Sequence, residues 1–257
     1  MIDIQDTYTA VSNYTVTSDG SETVSQSVLL REHELSIIIN EKPAMKLVCT
    51  KQDLYELVLG RMLTGGFIDD INDVSDIFFC KSMTQATVFL NREVDLERIG
   101  MEDKTCCTGN RILYSVRSGK DMKMLPKPEY KKEWIFALAK QFEKGTSLHD
   151  LTCAAHSCFL AKDNKVLFSC EDIGRHNAID KAVGYGLKER IPLSQCILYT
   201  SGRVPVDMAE KSIAAGIPVL VSKKEPTAEA VELARSFGLV IIGKAFQDSM
   251  KVYDPYI

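Results

Sequence analysis

The spacing of apolar positions changes along the chain, and the change divides it near residue 125. Before that point the apolar runs are short and strand-like. Glu34 to Ile39 and Ala44 to Cys49 are β-rich runs joined around Asn40, Glu41, Lys42 and Pro43, which predicts a hairpin. Leu54, Leu57, Val58 and Met62 then recur at helical spacing. Thr50 as N-cap, with Asp53 three residues on, predicts an amphipathic helix to Leu63, stopped by Gly65 and Gly66. Further strands are predicted at Ile77 to Cys80, Ala86 to Leu90 and Ile112 to Val116. The first twenty-odd residues, rich in Thr, Ser, Asp and Gly, hold no sustained period. They predict an extended or frayed arm, with order beginning near Val28. Ser118 to Asp121, Pro126 and Pro128 make a polar, proline-punctuated connection.

Beyond it, strands alternate with helices of about ten residues. A helix over Glu133 to Glu143 stops at Gly145. Then come strands at Cys158 to Ala161, from Val166, at Cys196 to Thr200, Val219 to Ser222 and Leu239 to Ile242. Between them lie helices carrying Ala178, Ala182, Val183 and Leu187, then Pro205 to Ala214 and Thr227 to Ser236. Such alternation predicts a largely parallel sheet with helices on both faces. The chain therefore reads as α+β overall, with a mainly β domain over residues 1–125 and an α/β domain over residues 126–257.

Composition narrows the class. With 45% hydrophobic and 26% charged residues and a net charge of -4, the chain reads as a mildly acidic globular protein with no general nucleic-acid role. No apolar run has membrane-spanning length and the start lacks a basic-then-apolar leader, so no membrane partner and a cytoplasmic location are expected. Eight cysteines in a reducing compartment read as free thiols. No Cys-x-x-Cys occurs, so no metal site is expected, and Cys49, Cys80, Cys170 and Cys196 lie in or beside apolar runs as core residues. Asp69, Asp70, Asp73 and Asp76 lack the spacing of a calcium loop and read as a solvated face.

The candidate chemistry lies in three loops. From Val166 to Lys181 the chain reads VLFSCEDIGRHNAIDK, a strand, a dense polar loop and a helix. A loop at the carboxyl end of a buried strand, followed by helix-start amides, favours an anionic ligand. Gly174 would permit a left-handed backbone there, with Arg175 and His176 beside it. Alternatively Asp172 or Asn177 caps the helix and Arg175 pairs with Glu171. Ser201, Gly202 and Arg203 repeat the strand-to-loop pattern, so two Gly-Arg loops at one sheet edge would hold a phosphate or pyrophosphate. The Gly-x-Gly-x-x-Gly of an ordinary dinucleotide fold is absent. The third loop, Lys104 to Asn110, carries Cys106 and Cys107, with Lys104 and Arg111 to favour a thiolate; the two thiols are reactive or incidental. His156 is either an acid–base group or a hydrogen-bonded core histidine.

Together, Glu171-Asp-Ile-Gly-Arg-His-Asn-Ala-Ile-Asp-Lys181, Thr200-Ser-Gly-Arg203, Gly216-Ile-Pro218, Pro226-Thr227 and the terminal stretch from Gly243 through Met250 to Tyr253 closely resemble the formate dehydrogenase accessory sulfurtransferase (FdhD) family. Asn40-Glu-Lys-Pro43 and Asp53-Leu-Tyr-Glu-Leu57 extend the resemblance into the first half. The resemblance implies a cytidine-deaminase-like second domain without the deaminase zinc site. It implies a sulfur carrier, an enzyme loaded as a cysteine persulfide by a cysteine desulfurase. The sulfur would pass to the molybdenum bis(molybdopterin guanine dinucleotide) cofactor, bound as substrate, for formate dehydrogenase. The family loop reads Cys-Gly-x-Cys-Gly, whereas this chain reads Cys106-Cys107-Thr-Gly-Asn, so either thiol is the carrier. His156 falls in the family's Thr-Gly-Gly-x-His-x-Ala region, with Cys153 and Ala154 in place of the glycines. Lys244, Ala245, Phe246, Gln247, Asp248 and Ser249 align with the family's cofactor-binding stretch. A GDP-like ligand is expected across that stretch, both Gly-Arg loops and His156, and a symmetric homodimer is the default assembly. The rival reading is a non-catalytic chaperone for the cofactor.

Overall fold

The computed structural model describes residues 6–92, 111–112 and 122–257. Its first element departs from expectation. Residues 8–30 form an antiparallel hairpin, β1 (Tyr8–Val16) and β2 (Glu22–Leu30), in place of a frayed arm. Asp19 closes its turn by accepting from the Ser21 amide and hydroxyl, and Gly20 adopts φ +84°. Thr, Val and Tyr suit a pleated backbone, but both faces of the ribbon are largely exposed, so no buried stripe registers as a period.

The predicted hairpin is β3 (His33–Ile39) and β4 (Lys42–Cys49), with Lys42 and Pro43 inside the second strand. Asn40 and Glu41 at φ 44° and 67° form the two-residue left-handed turn that matches strand twist. With β5 (Val74–Phe79), β6 (Gln85–Leu90) and β7 (Arg111–Ile112) they make a sheet ordered β5-β6-β3-β4-β7. Helix α1 (Leu54–Thr64) follows, but Thr50 does not cap it. Asp53 holds the cap position at φ 50° without a side-chain bond, and Thr50 is buried against a distant motif. Of the acidic cluster, Asp70 and Asp73 form a reciprocal capping box around Ile71–Asp73, and Asp69 and Asp73 pair with Arg92.

The second half contains α2 (Lys132–Phe142), α3 (Ser147–Thr152), β8 (His156–Lys162), β9 (Lys165–Asp172), α4 (Arg175–Lys188), β10 (Ile197–Thr200), α5 (Val206–Ala214), β11 (Val219–Ser222), α6 (Ala228–Phe237), β12 (Val240–Gly243) and β13 (Lys251–Tyr253). Their sheet is ordered β13-β12-β11-β10-β8-β9. It is mixed, not largely parallel: only β10–β11 and β11–β12 are parallel pairs. The two-residue turn after Lys162, with Asp163 at φ 55°, is too short for a parallel crossover, so β8 and β9 must be antiparallel. That reversal brings the amino end of β8 to the edge where β9, β10, β11 and β12 end.

Side chains alternate across this sheet. Ile197, Tyr199, Val219, Val221, Val240 and Ile242 pack with α2, while Leu198, Leu220 and Ile241 face the opposite core. That core continues through α4 and α1 to Leu35, Ile37, Met45 and Leu47, so one apolar cluster spans both halves. Helices α1 and α4 meet backbone to backbone. A Cβ at Gly60 would lie 1.8 Å from the Asp180 carbonyl oxygen, and one at Gly184 1.8 Å from that of Glu56.

Cys49, Cys170 and Cys196 are buried as expected, and Cys158 joins them. Cys80 is a correction. Strand β5 ends at Phe79, so Cys80 opens the β5–β6 turn half-buried, with Sγ 3.2 Å from Ser82 Oγ and 3.6 Å from Thr84 Oγ1. Those hydroxyls lower its pKa to about 6.

Candidate functional site

The polar stretch from Glu171 to Lys181 divides into residues that build the loop and residues placed to use it. Asp172 belongs to the first group. Its buried carboxylate accepts from the Thr50 amide (3.0 Å), the Gly174 amide (2.9 Å) and Asn177 Nδ2 (2.8 Å), and pairs with Lys181 at 2.8 Å. Lys181 also donates to Thr50 Oγ1 (2.6 Å) and the Glu171 carbonyl (2.9 Å). Burial, the largest single influence, acts to lower the Lys181 pKa, but the Asp172 charge and hydrogen bond, together with Cys49 and Cys170, outweigh it and the net shift is upward. Asn177 reaches the Val48 carbonyl at 2.8 Å, binding the loop to the first half. Glu171 does not sit on the surface; it accepts the Leu148 and His149 amides at 2.8 and 2.7 Å and so satisfies the start of α3.

Gly174, Arg175 and His176 remain. Gly174 sits at φ -105°, so its backbone is not left-handed as expected. It is the N-cap residue of α4 and has no side chain to cap that helix, and the first turn holds no acid. Instead it carries Arg175, a positive group where the helix dipole favours negative ones, and His176, which is positive when protonated. The second loop lies directly against the first: a Cβ at Gly202 would be 2.9 Å from the Arg175 Cβ. Ser201 Oγ accepts the Ser157 amide at 3.0 Å and stands 3.3 Å from His156 Nδ1. His156 pairs in register with Asp172; burial, then the Arg175 charge, lowers its pKa, so its neutral form is favoured. Arg203 is exposed beside buried Gly202. His176 Nε2 lies 2.7 Å from Asp207 Oδ2, at the start of α5. Burial acts to raise the Asp207 pKa, but the His176 hydrogen bond and charge, helped by Arg175, bring it below the usual range.

The structure thus brings together Gly174, Arg175, His176, Ser201, Gly202, Arg203 and His156. Lys244 to Ser249 leaves β12 at the same edge, two strands from β10. Ala245 is buried, donates to the Ser222 carbonyl at 3.0 Å and accepts from the Tyr199 hydroxyl at 2.7 Å. Lys244 approaches Glu225 at 3.6 Å, the Phe246 amide donates to Ser249, and the Gln247 amide reaches Glu143; Gln247, Asp248 and Ser249 are exposed. Cys106 and Cys107 lie outside the described residues. Among the described residues, no group of three His, Cys, Asp or Glu is placed to hold a metal ion. Sequence reasoning missed Asp207 and Thr50, whose partners are distant along the chain. An acid in the first turn of the helix after the second Gly-Arg loop was the available signal for Asp207.

A model of the FdhD/NarQ family matches residues 30–256. The chain belongs to that family. Among FdhD relatives, the sulfur carrier protein FdhD of Bacillus pumilus is 28% identical over 239 residues, covering 91% of each chain. The sulfur carrier protein FdhD of Saccharolobus solfataricus is 32% identical over 209 residues, covering 79% of each. A crystal structure of a formate dehydrogenase accessory protein from Desulfotalea psychrophila shares the fold, with TM-score 0.80 and 20% identity over 96% of this chain and 97% of that one. The likeness to these FdhD proteins spans both halves. No described helix is long and apolar enough to cross a membrane.

Proposed function

We propose that this FdhD-family chain is a sulfur carrier that holds the guanine-nucleotide end of the molybdenum cofactor at the edge where β9 and β10 end. The carrying observation is the placing of Arg175 and His176 in the first turn of α4, where acids belong, with Arg175 laid against the Gly202 loop. A bound phosphate relieves that electrostatic conflict by accepting from the guanidinium groups of the two loops. The absence of a Cβ at Gly202 is what lets the Arg175 side chain lie against the second loop. The sulfur enters through Cys106 or Cys107. The loop thiolate attacks the outer sulfur of a desulfurase persulfide, the sulfur–sulfur bond there breaks and the desulfurase thiolate leaves. The new persulfide is carried to the cofactor, which is substrate, for insertion into formate dehydrogenase. The family relatives' names support this role.

Calorimetry with GDP tests the site. Wild type should bind, and Arg175→Ala or Arg203→Ala should each lose about 1.5–3 kcal/mol, the contribution of a charged hydrogen bond. Equal affinity in wild type and both variants would remove the nucleotide from this edge.

A further inference from the structure

His176 and Asp207 come from the first turns of two helices whose amino ends meet at the sheet edge. Asp207 suits its position, since a carboxylate there complements the dipole of α5. His176 does not, because an imidazolium in the first turn of α4 opposes that helix's dipole and adds to Arg175. Yet the contact is close: 2.7 Å, with the His176 side chain 8% exposed and that of Asp207 49%. One turn further in, the same helices meet again, through Asp180 and Lys211 at 2.6 Å, with Thr64 3.2 Å from Lys211 and Arg61 3.7 Å from Asp180. Two successive charged rungs therefore register α4 against α5, and the outer rung ends in the site.

We propose that Asp207 is a positioning residue of this site: it accepts from His176 Nε2, fixes the imidazole's orientation and favours its cationic form, so that His176 adds a second positive charge beside Arg175 for a phosphate-bearing ligand. This rests on the phosphate reading of the sheet edge. An ionised Asp207 can only accept, so the Nε2 position must carry the proton. Among the described residues, the other charged or titratable groups around the pair include Arg175 on α4, His156 on β8 with His149 on α3 beyond it, Asp172 at the end of β9 and Lys211 on α5. Asp172 is engaged by Lys181, and Lys211 by Asp180. Arg175, and His149 when protonated, oppose a further positive charge. Among the described residues Asp207 is the carboxylate in hydrogen-bond contact with His176, so its removal shifts the imidazole toward neutrality.

Two measurements on the full chain test this. The His176 imidazole is titrated by NMR without ligand, and GDP affinity is measured from about pH 5.5 to about pH 8.5, the range over which histidine changes charge. In wild type, affinity falls as pH rises through the His176 midpoint. In Asp207→Asn that midpoint moves to lower pH and GDP binds about tenfold or more weakly near neutrality. Asp207→Glu restores both, as a merely structural contact would not require. An unchanged midpoint in Asp207→Asn overturns the proposal, even if the variant melts earlier. A shifted midpoint with unchanged GDP affinity overturns it as well, because His176 would then lie outside the ligand's reach. Failure of wild type to bind GDP at any of these pH values removes the phosphate reading and this proposal with it. Binding that is lost in Arg175→Ala but unaltered in Asp207→Asn leaves the site standing and removes only Asp207.

Discussion

Among the described thiols, Cys80 differs from its buried counterparts. Burial pushes Cys196 up to about 11 and raises Cys49, Cys158 and Cys170 further, so these react slowly while the chain is folded. The hydroxyls of Ser82 and Thr84 draw Cys80 the other way, to about 6, which favours its thiolate relative to the buried four. Alkylation of the native chain at pH 7 should label Cys80 well before those four, and the Cys80 rate should fall as pH drops below about 6, read by peptide mass spectrometry. Incubation with a desulfurase and cysteine, mapped the same way, should add sulfur to the Cys106–Cys107 peptide. Sulfur on Cys80 alone would move the carrier to the β5–β6 turn, and sulfur on neither would favour the chaperone reading. The two Gly-Arg loops were legible because each couples residue type to a strand end, whereas His156 entered through the family resemblance. Asp207, Thr50 and the split role of the 171–181 stretch were not, since Asp172 is recognisable as an anchor only once Thr50 lies against it in space.

Element scale repeats the pattern. Where a stripe is buried on one side, as in α2 with Ile135, Leu138, Ala139 and Phe142, the period located the element almost to the residue. Where burial is two-sided or absent, it did not. The β1–β2 ribbon shows Tyr14 at 65% and Val24 at 84% exposure, so its apolar residues carry no inward direction. Strand direction was equally hidden, because buried parallel and antiparallel strands share one apolar composition; the short turn after Lys162 was the deciding clue. The contact of α1 with α4 was also invisible, since Gly60 and Gly184 look like ordinary helix-weakening glycines until the facing backbone is known. Gly184→Ala should improve helix propensity yet destabilise the chain by more than about 3 kcal/mol, as a Cβ cannot enter that contact without separating the helices. A denaturant midpoint at or above wild type would refute the packing.

For the whole molecule, one apolar cluster runs from the β3–β4 hairpin through α1 and α4 to the second sheet. The halves should therefore unfold together. Fluorescence of Trp134, the single tryptophan, reports on α2 in the second half, and hydrogen exchange of β3 and β4 amides reports on the first. The two should give coincident transitions in denaturant; a β3–β4 sheet that opens at clearly lower denaturant would mark two cooperative units. The direct meeting of Gly60 and Gly184 also has a mechanical meaning. With no side chain between them to act as a bearing, α4 and α1 should resist rolling or sliding on each other and move as one stiff bar. Arg175 and His176 sit at one end of that bar, while α1 is continuous through residues 50–53 with β4. A push that a ligand exerts on the amino end of α4 should therefore be passed to the first sheet, and Cys106 and Cys107 lie in sequence between two strands of that sheet, β6 and β7.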